Sequence, residues 1–126
     1  MLYDFKGALY DLTFADKLQP NDIWILIRLG ITKQSLADYH EALSDFNRAS
    51  ILQPGDLLTL KFRAITNYYY LQSYIASEED FVKVLTLVPA DTEVKDWLEK
   101  IKKHKNANIV PLLANNPSQG NYIPLP

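Results

Sequence analysis

The sequence predicts an all-α fold built as a stack of antiparallel helix pairs, and three observations predict it. Prolines stand at a nearly constant interval, at Pro20, Pro54 and Pro89, which are 34 and 35 residues apart. Each of these prolines is followed two residues later by an aspartate, and the segments before the prolines resemble one another. A period of about 34 residues is typical of repeat proteins in which one repeat is one pair of helices.

The three Pro-x-Asp steps predict where helices end and begin. Proline stops the preceding helix because it has no N–H group and its ring clashes with the previous turn. An aspartate two residues later can accept a hydrogen bond from the free N–H groups that open the next helix. Asp22, Asp56 and Asp91 are therefore predicted N-caps.

The similarity between the first two segments is high. When residues 4–20 are shifted by 34 onto residues 38–54, eight of 17 positions are identical: Asp4/Asp38, Ala8/Ala42, Leu9/Leu43, Asp11/Asp45, Ala15/Ala49, Leu18/Leu52, Gln19/Gln53 and Pro20/Pro54. A third copy, shifted by 35, keeps Asp80, Phe81, Leu87 and Pro89. We expect its extra residue to lie between Asn67 and Tyr74, where two helices turn.

The interval between prolines leaves room for two helices and two short turns. We expect first helices over residues 23–34 and 57–70 and second helices over 38–52 and 75–87. Residues 3–18 form a further second-type helix, and residues 92–105 are amphipathic. The predicted organisation is a half repeat over 3–20, repeats over 21–54 and 55–89, a capping helix over 91–105, and a mobile tail rich in proline and asparagine over 106–126.

Small residues recur where two helices must cross closely. Gly30 and Ala64 lie on the first helices, and Ala42 and Ala49 lie on a second helix. A bulky side chain at such a crossing would push the helix axes beyond their usual distance of about 8–10 Å.

The period and these residues resemble the tetratricopeptide repeat family, and the resemblance covers residues 3–105. The second repeat carries Leu26 at the family's aromatic or large position, and its Leu-Gly, Ala, aromatic, Ala and Pro positions as Leu29, Gly30, Ala42, Phe46, Ala49 and Pro54. It departs at Leu26, where tryptophan is typical, and at Lys33, where tyrosine is typical. The third repeat carries Leu60, Ala64, Tyr68, Phe81 and Pro89. The resemblance implies a right-handed superhelical α-solenoid.

The resemblance also implies a function, that of a non-catalytic scaffold for protein–protein interaction. First helices of the family line a concave groove that binds a partner peptide, and the corresponding positions in this sequence are Trp24, Ile27, Ile31, Leu58, Lys61, Ile65, Tyr68 and Tyr69. Most of these side chains are apolar or aromatic, which favours an apolar peptide. The sequence does not resemble the subclass that clamps a C-terminal carboxylate, because its lysine and asparagine sites hold Ile27, Ile31 and Ile65.

A second interpretation stays open. The chain could be a structural fragment of a longer superhelix, or an array that self-associates through its open N-terminal repeat. In that case the apolar positions would be covered by neighbouring repeats, by a second copy or by the chain's own tail.

Composition argues against several other classes. The net charge of −2 does not favour nucleic-acid binding, which needs a clustered positive surface. The most apolar run, 23–31, is too short to span a membrane. Neither histidine, His40 or His104, has a second ligand at zinc-binding spacing, and we expect no catalytic set and no cofactor. The absence of cysteine fits a reducing compartment, so we expect a cytoplasmic protein.

Overall fold

The computed structural model describes residues 4–114, with side chains described for residues 4–107. The described residues form helices and turns without a strand. The helices are α1 (Phe5–Leu18), α2 (Ile23–Ser35), α3 (Tyr39–Leu52), α4 (Leu57–Ile65), α5 (Tyr74–Leu87) and α6 (Thr92–Ala114), with a π-helical turn over Thr66–Tyr70 that continues α4. Each helix packs against the next one along the chain, and α2 also contacts α4. The predicted stack of helix pairs is confirmed.

The three Pro-x-Asp steps begin helices as predicted. Asp22 Oδ1 accepts hydrogen bonds from the backbone N–H groups of Trp24 and Ile25, with N···O distances of 2.9 and 3.3 Å. Asp56 accepts from Thr59 N at 2.9 Å, and Asp91 accepts from Val94 N at 3.1 Å. These caps fix the start of α2, α4 and α6, the three first helices of the stack.

The close crossings predicted from small residues are present in both complete repeats. Gly30 of α2 lies against the ring of Phe46 on α3, and both residues are buried. In the next repeat the hydroxyl of Ser77 on α5 donates a hydrogen bond to the backbone carbonyl of Ala64 on α4, at 2.8 Å. Any side chain at Gly30, and a side chain larger than alanine at Ala64, would separate the paired helices.

Two apolar clusters hold the stack together. One joins Leu26, Ile27 and Ala49 between α2 and α3. The other joins α4, α5 and α6 and consists of Leu60, Ala64, Tyr68, Phe81, Val84, Val94 and Ile101, all at most 7% exposed. Burial of such side chains is the main favourable contribution to the fold.

Each complete repeat also contains one ion pair between its first and second helix. Lys33 Nζ of α2 lies 2.7 Å from Asp45 Oδ2 of α3. Arg63 of α4 donates two hydrogen bonds to Asp80 of α5, at 2.7 and 2.9 Å. The hydrogen bond to Asp80 raises the pKa of Arg63 above its ordinary value. Asp45 and Asp80 occupy equivalent positions of the two repeats, 35 residues apart.

The extra residue of the third repeat is absorbed by the π-helical turn. The backbone N–H of Leu71 bonds to the carbonyl of Thr66 five residues earlier, at 3.3 Å. A π-helical turn contains one residue more than an α-helical turn over the same distance. The turn overlaps the stretch 67–74 in which the sequence predicted the insertion.

The last helix is longer than the predicted capping helix. α6 continues to Ala114, so residues 106–114 are helical and do not belong to a non-helical tail. The prediction rested on the four prolines, the five asparagines and the lack of charged residues in 106–126, but only Pro111 lies within 106–114. The remainder of the predicted tail, 115–126, lies outside the described residues.

Candidate functional site

The first helices α2, α4 and α6 form one continuous side of the stack. Gln34 of α2 and Thr66, in the turn after α4, are joined by a side-chain hydrogen bond of 3.1 Å. Lys61 Nζ of α4 lies 2.8 Å from Asp91 Oδ2, the cap of α6. We call this side the groove face, and all eight predicted binding positions lie on α2, on α4 or in the π-helical turn.

Three of the eight predicted side chains are well exposed on the groove face. Trp24 is 63% exposed, Leu58 is 41% exposed and Tyr69 is 56% exposed. Ile31 and Ile65 are half-buried and pack against the two apolar clusters. Trp24 and Leu58 occupy equivalent positions of successive repeats, 34 residues apart, so large apolar groups recur along the face.

Two predicted contact residues are buried, and their assignment to a binding surface is corrected. Ile27 is 3% exposed because it packs in the cluster with Leu26 and Ala49. Tyr68 is 7% exposed because the rings of Trp97 and His104 from α6 lie over it, with ring centroids 5.2 and 5.3 Å away. Burial raises the pKa of Tyr68 above its ordinary value. Both side chains support the groove face from beneath.

Lys61 is on the groove face, but its ammonium group is already bound. Lys61 Nζ pairs with Asp91 and also lies 3.9 Å from Glu93 Oε1. The bond to Lys61, together with the backbone bond from Val94, lowers the pKa of Asp91 below its ordinary value. Lys61 therefore links α4 to α6, and a ligand would have to compete with Asp91 for it.

An aromatic element of the groove face was missed by the sequence analysis. Trp97 of α6 is half-buried, and its ring makes an edge-to-face contact with Tyr69 at 5.3 Å. The ammonium group of Lys100 lies 4.8 Å from the centre of the Trp97 ring, within the range of a cation–π contact. The repeat pattern did not point to it, because Trp97 is equivalent to Phe62 of α4, 35 residues earlier, and Phe62 is not a predicted groove position.

Comparison with known sequences gives curated relatives that this chain matches over about four-fifths of its length. No family model matches the chain. The lipoprotein NlpI homolog of Haemophilus influenzae is 33% identical over 102 residues, which are 78% of this chain and 32% of the relative. The chain spans about a third of the length of the curated relatives that it matches.

Comparison with solved structures decides the fold. The first tetratricopeptide repeat domain of Spaghetti (RPAP3), bound to an HSP90 peptide, superimposes with a TM-score of 0.76 over 81% of this chain and 80% of that one, at 22% identity. The chain has the tetratricopeptide repeat fold. The Yersinia enterocolitica type III secretion chaperone SycD, in complex with a peptide of the translocator YopD, superimposes with a TM-score of 0.73 over 80% and 82% of the two chains, at 17% identity.

In this tetratricopeptide repeat array, isoleucines stand at the positions where a carboxylate clamp has its lysine and asparagine side chains. Ile27 stands where the clamp's first lysine is expected and is buried, and half-buried Ile31 and Ile65 stand at the asparagine sites. Arg28 is exposed and makes no ion pair among residues 4–107. The groove face therefore offers apolar and aromatic surface with one free cation on α2.

Several other aromatic side chains stack on one another or on a histidine within the tetratricopeptide repeat array. Tyr70 stacks on Tyr39 of α3 with ring centroids 4.1 Å apart, and Tyr74 stacks on His104 at 5.2 Å. His40 is exposed, as expected for a solvated helix face. Within the described part of the chain, no cluster of His, Cys, Asp and Glu side chains could hold a metal ion. None of the helices there has the length and apolar composition that a membrane span requires.

Proposed function

We propose that the chain is a non-catalytic scaffold that binds a segment of a partner protein on the groove face. The observation that carries this proposal is the exposure of Trp24, Leu58 and Tyr69 on neighbouring first helices. Exposed apolar patches larger than a few hundred Å² usually mark interaction sites, and tryptophan and tyrosine are frequent energetic anchors of interfaces. Binding a partner would remove these groups from water.

The chemistry of the face indicates what the partner segment carries. Trp24, Leu58 and half-buried Ile31 would accept apolar side chains, and the edge of Tyr69 beside Trp97 would accept an aromatic ring. Exposed Arg28 would attract a carboxylate of the segment. The partner segment is thus apolar or aromatic with an acidic residue near the part that contacts α2.

Peptide binding by proteins of the same fold supports this proposal. The RPAP3 domain is bound to an HSP90 peptide and SycD to a YopD peptide. In this chain isoleucines stand at the asparagine positions of a carboxylate clamp. We therefore infer that recognition depends on apolar side chains of the segment and not on a terminal carboxylate.

Selection from a peptide library tests the proposal. Peptides displayed on phage are selected on the native chain and then tested on a groove variant, Trp24→Ala/Tyr69→Ala. A control variant, Ile51→Ala/Ile75→Ala, removes two apolar side chains from second helices that are somewhat more exposed than Trp24 and Tyr69. We expect apolar and aromatic peptides that bind the native and control chains at least tenfold more tightly than the groove variant. Equal binding of the selected peptides by all three chains would refute the proposal that the groove face binds them.

A second candidate is a structural role, in which the array has no ligand of its own and its N-terminal repeat is covered by further repeats or by a second copy. Partial exposure of Ala8, Leu12 and Ala15 on α1 favours this candidate. Sedimentation velocity separates the two, because a stable dimer that selects no peptide supports the structural role. The cytoplasmic location expected from the lack of cysteine stays a prediction.

A further inference from the structure

One side of α1 has the composition of a helix-binding surface without a helix on it. Ala8, Leu12 and Ala15 of α1 stand 34 residues before Ala42, Phe46 and Ala49 of α3. The corresponding residues of α5, a further 35 residues along, are Ser77, Phe81 and Val84. On α3 and α5 these six side chains are at most 1% exposed, whereas the three on α1 are half-buried.

The six buried residues are covered by the first helix of their own repeat together with that of the next one, since Phe46 also stacks on Phe62 of α4 and Phe81 on Trp97 of α6. Phe46 lies against Gly30 of α2, and Ala49 clusters with Leu26 and Ile27 of the same helix. Ser77 bonds to the backbone of Ala64 on α4. Within residues 4–107, no helix covers the matching side of α1 to the same extent.

A charged position gives independent evidence of an incomplete interface. Asp11 of α1 is equivalent to Asp45 and Asp80, and each of those two aspartates pairs with a cation on the first helix of its repeat. Asp11 is exposed and has no ion pair among the residues whose side chains are described. Both the apolar contact and the ion pair found in the complete repeats are thus absent here.

We propose that this side of α1, which we call the α1 face (Ala8, Asp11, Leu12 and Ala15), binds an amphipathic helix of a partner protein. The helix carries an apolar stripe interrupted by a small residue, so that it can approach Ala8 and Ala15 closely. It also carries a lysine or arginine that pairs with Asp11. Leu18, one turn beyond Ala15 and 68% exposed, extends the apolar surface available to it.

Residues 92–126 do not have the composition that such a helix requires. On α6 the positions that correspond to Leu60 and Ala64 hold Lys95 and Glu99, which are exposed and charged. The apolar residues of α6, Val94 and Ile101, are already buried within the stack. Residues 106–126 carry no charged side chain and so cannot pair with Asp11. Neither α6 nor residues 106–126 of a second copy could therefore supply this helix.

The α1 face and the groove face are separate surfaces. The first lies on a second-type helix at the N-terminal end, and the second is formed by α2, α4 and α6. A failure of the groove proposal would leave this inference standing, because it depends on the equivalence of α1 with α3 and α5.

A synthetic peptide with the sequence of residues 22–36 is a suitable probe. This segment contains Leu26, Gly30 and Lys33, the residues that contact α3 and pair with Asp45. Binding of the fluorescein-labelled peptide to the full chain is followed by fluorescence anisotropy. We expect saturable binding, and about fivefold weaker binding to an Asp11→Lys variant, which is the upper end of what an exposed ion pair contributes.

Charge exchange provides the decisive control. A peptide carrying Lys33→Asp should bind the native chain more weakly than the native peptide does, because two aspartates then face each other. The same peptide should bind the Asp11→Lys chain more tightly than it binds the native chain, because the ion pair is restored with its charges exchanged. The groove variant Trp24→Ala/Tyr69→Ala should bind the native peptide unchanged. The inference is overturned by absence of binding, by equal binding to the native and Asp11→Lys chains, or by a dimer of the native chain that Asp11→Lys dissociates.

Discussion

The ring of Phe46 occupies the space that a side chain on Gly30 would need. A Cβ atom placed on Gly30 would lie 2.6 Å from Cζ of Phe46, well inside van der Waals contact. Phe46 is fully buried, so its ring cannot move aside without opening the pair formed by α2 and α3. The absence of a side chain at Gly30 is therefore what allows this helix pair to close.

Replacement of Gly30 by leucine should destabilise the second repeat strongly. Overpacking costs about 1–3 kcal/mol, and we expect the upper end for leucine at this close crossing, which exceeds the gain of about 1 kcal/mol from replacing a helical glycine. Gly55→Ala is the matched control, because its added methyl group would meet only Leu87 at an ordinary 3.8 Å. Urea unfolding followed by circular dichroism measures both variants, and an unchanged midpoint for Gly30→Leu would show that the assigned crossing is wrong.

The ion pair between Arg63 and Asp80 should contribute more to stability than the pair between Arg48 and Asp16. The side chains of Arg63 and Asp80 are only 16% and 8% exposed, whereas that of Arg48 is 42% exposed. Removing one partner of a largely buried pair leaves the other charge without compensation, while an exposed pair contributes about 1 kcal/mol at most. We expect Asp80→Ala to lower the free energy of unfolding by about 2–3 kcal/mol, and Arg48→Ala by less than about 1 kcal/mol. Equal losses of unfolding free energy in the two variants would show that burial does not set the contribution of these ion pairs.

Protonation of Asp91 should weaken the attachment of α6. Its pKa is below the ordinary value of 3.8, first because of the bond to Lys61, so the folded state binds this proton less readily than the unfolded state. The stabilisation is therefore complete above about pH 4 and declines as the pH falls through the lowered pKa. Asp91→Asn keeps an oxygen that can cap α6 but cannot titrate.

Comparing the stability of the native chain with that of Asp91→Asn shows whether the charge on Asp91 stabilises the fold. Native chain should be the more stable of the two at neutral pH, and the difference in unfolding free energy should shrink as the pH falls below about 4. Chemical denaturation at a series of pH values measures it. A difference that stays constant into the acid range would mean that Asp91 is not the group that titrates.

The repeat pattern in the sequence was sufficient to predict most of the fold. Proline stops and aspartate caps are local features, and the caps at Asp22, Asp56 and Asp91 depend on atoms within three residues of each aspartate. The extra residue near Asn67 was also predicted from spacing alone. Its accommodation as a π-helical turn was not, because that depends on how α4 packs against its neighbours.

The groove face was only partly predictable, because burial depends on residues distant in the chain. Tyr68 has the residue type and repeat position of a ligand contact, but Trp97 and His104 cover it from a helix about 30 residues later. Ile27 is turned into the core between α2 and α3. Exposure of Trp24 and Tyr69 agrees with the predicted surface, and their role in binding stays a proposal.

Recovery of a partner from cell extract tests the central claim most directly. The native chain, the groove variant Trp24→Ala/Tyr69→Ala and the control variant Ile51→Ala/Ile75→Ala are used as baits, each first shown by circular dichroism to be folded. The account predicts a protein that is retained by the native and control chains and lost by the groove variant. A partner recovered equally by all three chains would contradict the claim that the groove face is the binding surface.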